Sequence, residues 1–280
     1  MRFKLVLAVK SESFGNIFPV SYQYELSAAV YRRIRENYEA YLHWLSSNGF
    51  APVDDFRNRL FSFSNLYIPR IRVEGDRLHI LVKKVQMWIS FLPVRGTREF
   101  VERLFSGVSF VLGDRRSRVE LEVEEILDCP VPEFGEEAEY LALSPIVFMV
   151  PRSNRSMEYV GPDYPTYADC FYRSILAKYE RIFGRPFEDD TQFSWNLLSE
   201  PKRKGIFMMR FTPDESKVIG YMYKFRIVMN PLLHQIMYET GVGEKVNLGF
   251  GCVEILRRDA PDSKKETPLP EKEVPPMKII

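Results

Sequence analysis

The 280-residue chain is 45% hydrophobic and 28% charged, with a net charge of +1. It can bury the core of one large domain or two ordinary ones, and it lacks a global basic field, so any nucleic-acid binding must come from a local patch. Its three cysteines, Cys129, Cys170 and Cys252, are odd in number and scattered, which argues against a disulfide framework or a zinc spacing, and no apolar run reaches membrane-spanning length.

The opening MRFKLVLAVK places Phe3, Leu5, Leu7 and Val9 at alternate positions, with Arg2 and Lys4 between the first of them, and predicts a strand. It is too short and too charged for a signal peptide, so the sequence points to a reduced, cytoplasmic protein. YELSAAVYRRIRE places Leu26, Val30 and Ile34 at helical spacing. LFSFSNLYI and LHILVKKVQMWISF predict strands, TREFVERLF a helix, and RVELEVEEI a strand with one wet face. Asp128, Pro130, Pro132 and Gly135 mark a linker. YLALSPIVFMV then predicts a buried strand. Thr166 to Phe183 predicts a long amphipathic helix stopped by Gly184. QFSWNLL, GIFMMRFT and VIGYMYKFRIVM are strand material. Asn230 and Pro231 are suited to cap and open a helix over PLLHQIMYET, and FGCVEIL is the last strand.

The series β-α-β-β-α-β therefore occurs twice, the second time with a strand or hairpin extension. The expected fold is α+β, two tandem ferredoxin-like domains over 1–128 and 129–258. A proline- and charge-rich tail, 259–280, is expected to be disordered.

Between the last helix and last strand lies GVGEKVNLGFG, Gly241 to Gly251. A dinucleotide-binding reading fails on context, because that motif follows a strand and opens a helix. An RNA-recognition motif is poorly supported, since Leu248, Cys252 and Ile255 stand where a cation and stacking aromatics belong. The third reading is a glycine-rich loop at an exposed edge, whose backbone N–H groups and Lys245 cradle phosphates. The bland alternative is a helix cap and a bulge.

Two ferredoxin-like halves ending in this glycine pattern resemble the repeat-associated RNA-processing proteins of CRISPR systems, and more closely the Cas-six endoribonucleases. MRFKL, YELSAAVYRRI, YLH and LSPI, in that order, carry the same resemblance, which covers roughly residues 1–257. It implies cleavage of CRISPR repeat RNA without metal or other cofactor. A ribose 2′-OH attacks the adjacent phosphate, leaving a 2′,3′-cyclic phosphate and a 5′-OH. A base, an acid and a charge-stabilising donor are then needed.

The resemblance places His43 at the family's catalytic histidine and Tyr31 at a tyrosine used beside it; without it, His43 reads as a residue packed between Leu42 and Trp44. His79 and His234 read as structural. The lysine that often follows the family's histidine is missing here. Arg57 and Arg59 are the nearest cations for that role, with Arg33 a further candidate. Twelve residues separate Tyr31 from His43, about 18 Å in one straight helix, so joint action requires a break, for which Asn37 is suited. RNA-binding residues are expected at Arg33, at Lys202, Arg203 and Lys204 on a hairpin tip, and at Gly241, Gly243, Lys245, Asn247, Gly249 and Gly251. The loop and His43 are expected to face one cleft. The implied partners are CRISPR repeat RNA and other subunits of an effector complex, with no membrane, and the protein a monomer or homodimer. Two alternatives stand beside the nuclease: a non-catalytic RNA-binding subunit, and a small-molecule-binding protein of the same fold.

Overall fold

The computed structural model describes residues 1–48, 60–188, 192–210 and 212–256. The expectations for Arg57, Arg59 and the 259–280 tail lie outside the described residues.

In the N-terminal half, β1 (Arg2–Val9) is followed by a short helix α1 (Ser11–Phe14), β2 (Ile17–Pro19), α2 (Gln23–Glu36) and α3 (Tyr38–Ser47). Then come β3 (Phe61–Phe63), β4 (Ile71–Glu74), β5 (Arg77–Ile80), β6 (Lys84–Phe91), α4 (Thr97–Phe105), β7 (Ser109–Gly113) and β8 (Arg118–Asp128). The C-terminal half runs β9 (Glu137–Ala142), β10 (Phe148–Pro151), β11 (Met157–Val160), α5 (Tyr167–Phe183), β12 (Ser194–Leu197), β13 (Lys202–Met208), β14 (Ser216–Met222) and β15 (Lys224–Val228). It closes with α6 (Pro231–Thr240), a 3₁₀ turn (Val246–Leu248) and β16 (Val253–Ile255).

The main sheets are ordered β3-β6-β1-β8-β7 and β12-β15-β9-β16. Setting β7 aside, both read second, third, first, fourth strand of a β-α-β-β-α-β series, with antiparallel neighbours. This is the ferredoxin-like order, twice over. Alternation decides which face is buried. Phe3, Leu5 and Leu7 of β1 and Met87, Ile89 and Phe91 of β6 form one core with Leu26, Val30 and Ile34 of α2 and Phe100, Val101 and Leu104 of α4. Tyr140, Phe225 and Ile227 form the other with Phe171 and Ile175 of α5 and Leu233 and Met237 of α6.

Two expected strands are each divided between sheets. LHILVKKVQMWISF supplies β5 to a three-stranded sheet, β2-β5-β4, and β6 to the main one; VIGYMYKFRIVM supplies β14 to a hairpin with β13, and β15 to the second sheet. In each run the buried positions change phase, from Leu78 and Ile80 to Val85 and Met87, and from Val218 to Tyr223 and Phe225. A strand staying in one sheet cannot change phase without a bulge. YLALSPIVFMV likewise divides into β9 and β10, the latter paired with β11.

Arg2 joins the halves. It is 2% exposed. Its guanidinium donates to Ser90 Oγ at 2.7 Å and to the Tyr238 carbonyl at 2.7 Å, and pairs with Glu254 Oε2 at 2.8 Å. It lies 3.6 Å from the centroid of the Tyr238 ring.

Candidate active site

Helix α2 ends where the sequence predicts a break. Asn37 leaves helical geometry at φ −114° and ψ 30°, and its side-chain amide donates to the Arg33 carbonyl at 2.9 Å. Its own carbonyl accepts from Tyr41 N at 3.0 Å and opens α3. Tyr31 and His43 therefore lie on different helices, Tyr31 half-buried and His43 exposed.

Trp44 explains why His43 faces outward. It is 4% exposed, stacks on Phe100 at 5.3 Å between centroids, and donates from Nε1 to Thr97 Oγ1 at 3.2 Å. Successive residues on a helix point about 100° apart, so anchoring Trp44 turns His43 away from the core. The sequence alternative, His43 packed beside Trp44, is thus overturned. His43 opens onto a groove of about 620 Å³ between α3 and α4, lined also by Glu39, Ala40, Ser47, Arg95, Gly96, Glu99 and Arg103. Arg95 and Arg103 are exposed, and sequence reasoning missed both. Their only sequence signal is position: Glu99 and Arg103 are four residues apart on the predicted helix TREFVERLF, hence on one face, and Arg95 stands two residues before it.

The other histidines are committed elsewhere. His79 sits on β5 with Nε2 3.1 Å from Glu74. His234 is fully buried. Its Nδ1 is 2.8 Å from the Tyr140 hydroxyl and its Nε2 3.0 Å from the Glu136 carbonyl. Burial lowers its pKa below the ordinary imidazole value. The unfolded chain thus takes up a proton near pH 6.5 that the native protein refuses, so the stability held above that pH is lost as pH falls toward the native value, by up to about 1.4 kcal/mol per pH unit. Urea unfolding between pH 7.5 and 5.5 should show the gap between wild type and His234→Gln narrowing as acid is added.

Arg33 is also structurally engaged. It donates from Nε to the Leu104 carbonyl at 3.0 Å, at the end of α4, and pairs with Glu36 at 2.6 Å. It thereby holds the ends of two helices together. Lys202, Arg203 and Lys204 are exposed, but they occupy the start of β13 opposite Met222, Tyr221 and Gly220. They stand at the base of that hairpin, not at its tip.

The glycine segment differs most from expectation. Gly241, Gly249 and Gly251 are buried, as are Val242, Phe250 and Cys252. The segment folds back on itself, Val242 N donating to the Gly251 carbonyl at 2.9 Å. Gly251 N and Glu244 N donate to the Pro145 and Val147 carbonyls. The Gly249 carbonyl accepts from Gln23 Nε2 of α2. Gly249 has φ +80°, and a Cβ there would lie 2.5 Å from the Phe63 ring. The segment is a buried seam between the halves, which corrects the exposed-edge reading. A Gly249→Val variant would damage the fold and could not report RNA contact alone.

Gly243, Lys245 and Asn247 do reach a groove, of about 540 Å³, shared with Leu60 and with Ser174, Lys178 and Arg181 of α5. Lys178 donates to the Thr240 carbonyl at 2.7 Å and to the Gly241 carbonyl. Burial, with Arg181 nearby, brings its pKa down to about 7. Among the described residues this groove and that of His43 have no lining residue in common. They flank one sheet end: Trp44 contacts Phe91, Phe91 contacts Phe61, and Leu60 beside Phe61 lines the second groove.

The family model for the C-terminal part of the CRISPR associated protein Cas6 matches residues 129–255, the half that contains the second sheet and the glycine seam. CRISPR-associated endoribonuclease Cas6 of Pyrococcus furiosus is 25% identical over 262 residues, covering 91% of this chain and 90% of its own. Residues 129–255 thus match a Cas6 C-terminal domain, and the chain is similar to Cas6 proteins over most of its length. A putative CRISPR-associated endoribonuclease-like protein, Cas6nc of Pyrococcus horikoshii, is 24% identical over 252 residues, covering 86% of this chain and 94% of its own. The solved structure of a Cas6-related protein from Pyrococcus furiosus superposes with a TM-score of 0.75 at 22% identity, covering 92% of this chain and 99% of that one. A solved RAMP protein described as binding different RNA substrates superposes equally well, again at 22% identity. The fold is thus shared with both solved structures.

Proposed function

We propose that this protein is a Cas6-family endoribonuclease that cuts CRISPR precursor RNA within its repeats. The observation that carries the reading is His43: the one histidine with an exposed side chain, on a groove that also holds two arginines. Imidazole titrates near pH 6.5 and can both take and give a proton. In the proposed step a base removes the 2′ proton, the O2′–P bond forms, the P–O5′ bond breaks, and an acid protonates the leaving O5′. The products carry a 2′,3′-cyclic phosphate and a 5′-OH. His43 serves one of the two proton transfers, and Tyr31, beyond the Asn37 break, orients phosphate or histidine. Lys202, Arg203, Lys204 and Lys245 hold backbone phosphates, which supply affinity, while unpaired repeat bases supply specificity.

The test is purified protein with the repeat RNA encoded beside its gene, in EDTA. Cutting should persist and yield 5′-OH ends. His43→Ala should bind RNA as wild type does and lose about 10²-fold or more in cleavage rate. Full activity in that variant would place the chemistry elsewhere. A second reading, repeat-RNA binding without cutting, is favoured by the relative whose name is only endoribonuclease-like. It predicts tight binding and intact RNA in the same tube.

A further inference from the structure

We infer that Arg95 and Arg103 grip the RNA backbone on either side of His43, so that the strand at the cut lies along the α3–α4 groove. This rests on the nuclease reading for its biological meaning, but its geometry stands independently. Helices α3 and α4 run antiparallel. At one end Asn48 donates to the Arg95 carbonyl at 3.1 Å. In the middle the Trp44 and Phe100 rings stack, and Tyr41 meets the same Phe100 ring at 5.9 Å. Glu39 is therefore at the Arg103 end, Ser47 at the Arg95 end, and His43 between them. All line one groove.

Arg103 lies on α4 and Arg95 two residues before its start, beyond the left-handed Gly96, and both line the groove. Each is exposed, and neither forms an ion pair among the described residues. By contrast Arg98, on the same helix, pairs with Glu102 and Asp128. Two unpaired guanidiniums flanking an imidazole suit three consecutive phosphates of an extended strand, with the scissile one at His43. Arginine is the residue suited to this, since its planar fork binds two phosphate oxygens at once. The pair also supplies the charge for which the sequence had pointed to Arg57 and Arg59. Glu39 and Glu99 line the same groove, so the two arginines are what makes it attractive to phosphate.

The test measures binding of a fully 2′-O-methylated repeat oligonucleotide, which cannot be cut, across a salt series, together with single-turnover cleavage of the native repeat. Arg95→Ala and Arg103→Ala should each flatten the log–log salt slope by about 0.7, and the double variant by about twice that. Each should lower the cleavage rate at saturating RNA. Arg→Lys at either position should restore the slope but not the full rate, because a point charge lacks the fork. Arg152→Ala, on the β10–β11 hairpin and paired with Glu158, is the control and should leave both unchanged. Wild-type slopes in the alanine variants would overturn the inference. Altered slopes with no cutting by the wild type would retain the groove as a binding track and remove the nuclease reading. Failure of the wild type to bind the oligonucleotide would overturn both.

Discussion

Gly251→Ala is expected to destabilise the protein by about 3 kcal/mol or more, from two separable causes. The first is conformational: Gly251 has φ +68°, where a residue with a Cβ is strained by about 1–2 kcal/mol. The second is steric. A Cβ at this position would lie 1.9 Å from the Val242 carbonyl oxygen, the residue whose N–H donates to the Gly251 carbonyl. Relief requires the fold-back to open, and forced repacking of this kind costs about 1–3 kcal/mol. Gly107→Ala separates the two: Gly107 has φ +64°, but a Cβ there meets nothing within 4 Å. Urea denaturation of both variants should therefore show a small loss for Gly107→Ala and a much larger one for Gly251→Ala. Equal losses would mean that the seam yields without resistance.

Arg2→Ala is expected to weaken the protein by about 3 kcal/mol or more, since it removes two buried hydrogen bonds from a charged donor, worth about 1.5–3 kcal/mol each, while the partner left behind, Glu254, is partly exposed. Burial works against the Arg2 charge, but the surrounding Cys252, Tyr238, Glu254 and Glu239 groups outweigh it and hold the guanidinium charged. Its removal leaves the Tyr238 carbonyl and Ser90 hydroxyl without their donor and a gap beneath the Tyr238 ring. Arg2→Met fills the gap without restoring the hydrogen bonds, so its unfolding midpoint should fall between alanine and wild type. If methionine matches arginine, Arg2 acts through packing alone.

Much of this was legible before folding. Helix α4 spans TREFVERLF as periodicity predicted. Gly184 ends α5 in the left-handed region at φ 67°, and Asn230 caps α6, its side chain accepting from Leu232 N. These are local signals, written in neighbouring residues. Arg2 carried no such signal: alternation assigns it to the wet face beside Lys4, and its partners lie 236 and 252 residues away. The glycine seam was misread for the same reason. Its glycines are spaced like a loop that needs room for a ligand, but the atoms that crowd them, in Phe63, Gln23 and Val147, come from other parts of the chain. The phase slips at Leu81–Lys84 and at Met222–Tyr223 were present in the sequence and were hidden by continuous apolar runs. At the candidate site, the break at Asn37 was predicted from its capping chemistry, whereas the antiparallel meeting of α3 and α4 that brings Arg95 and Arg103 to His43 depends on aromatic packing that no local pattern encodes.

The position of β16 governs the order in which the molecule can be completed on the ribosome. Every strand of the first sheet has been synthesised by residue 128, so that half can collapse early around its local contacts. The second sheet stays open along β9 until Val253–Ile255 arrive to pair with it, and the glycine seam that seats on Phe63 and Gln23 emerges only just before. Until then Arg2 waits without Glu254, and the β3 edge lies uncovered. Edges exposed for that long invite pairing with other chains. Truncation by a few residues before Leu256 would leave the nascent chain in that open state permanently, a far larger lesion than the number of missing residues suggests.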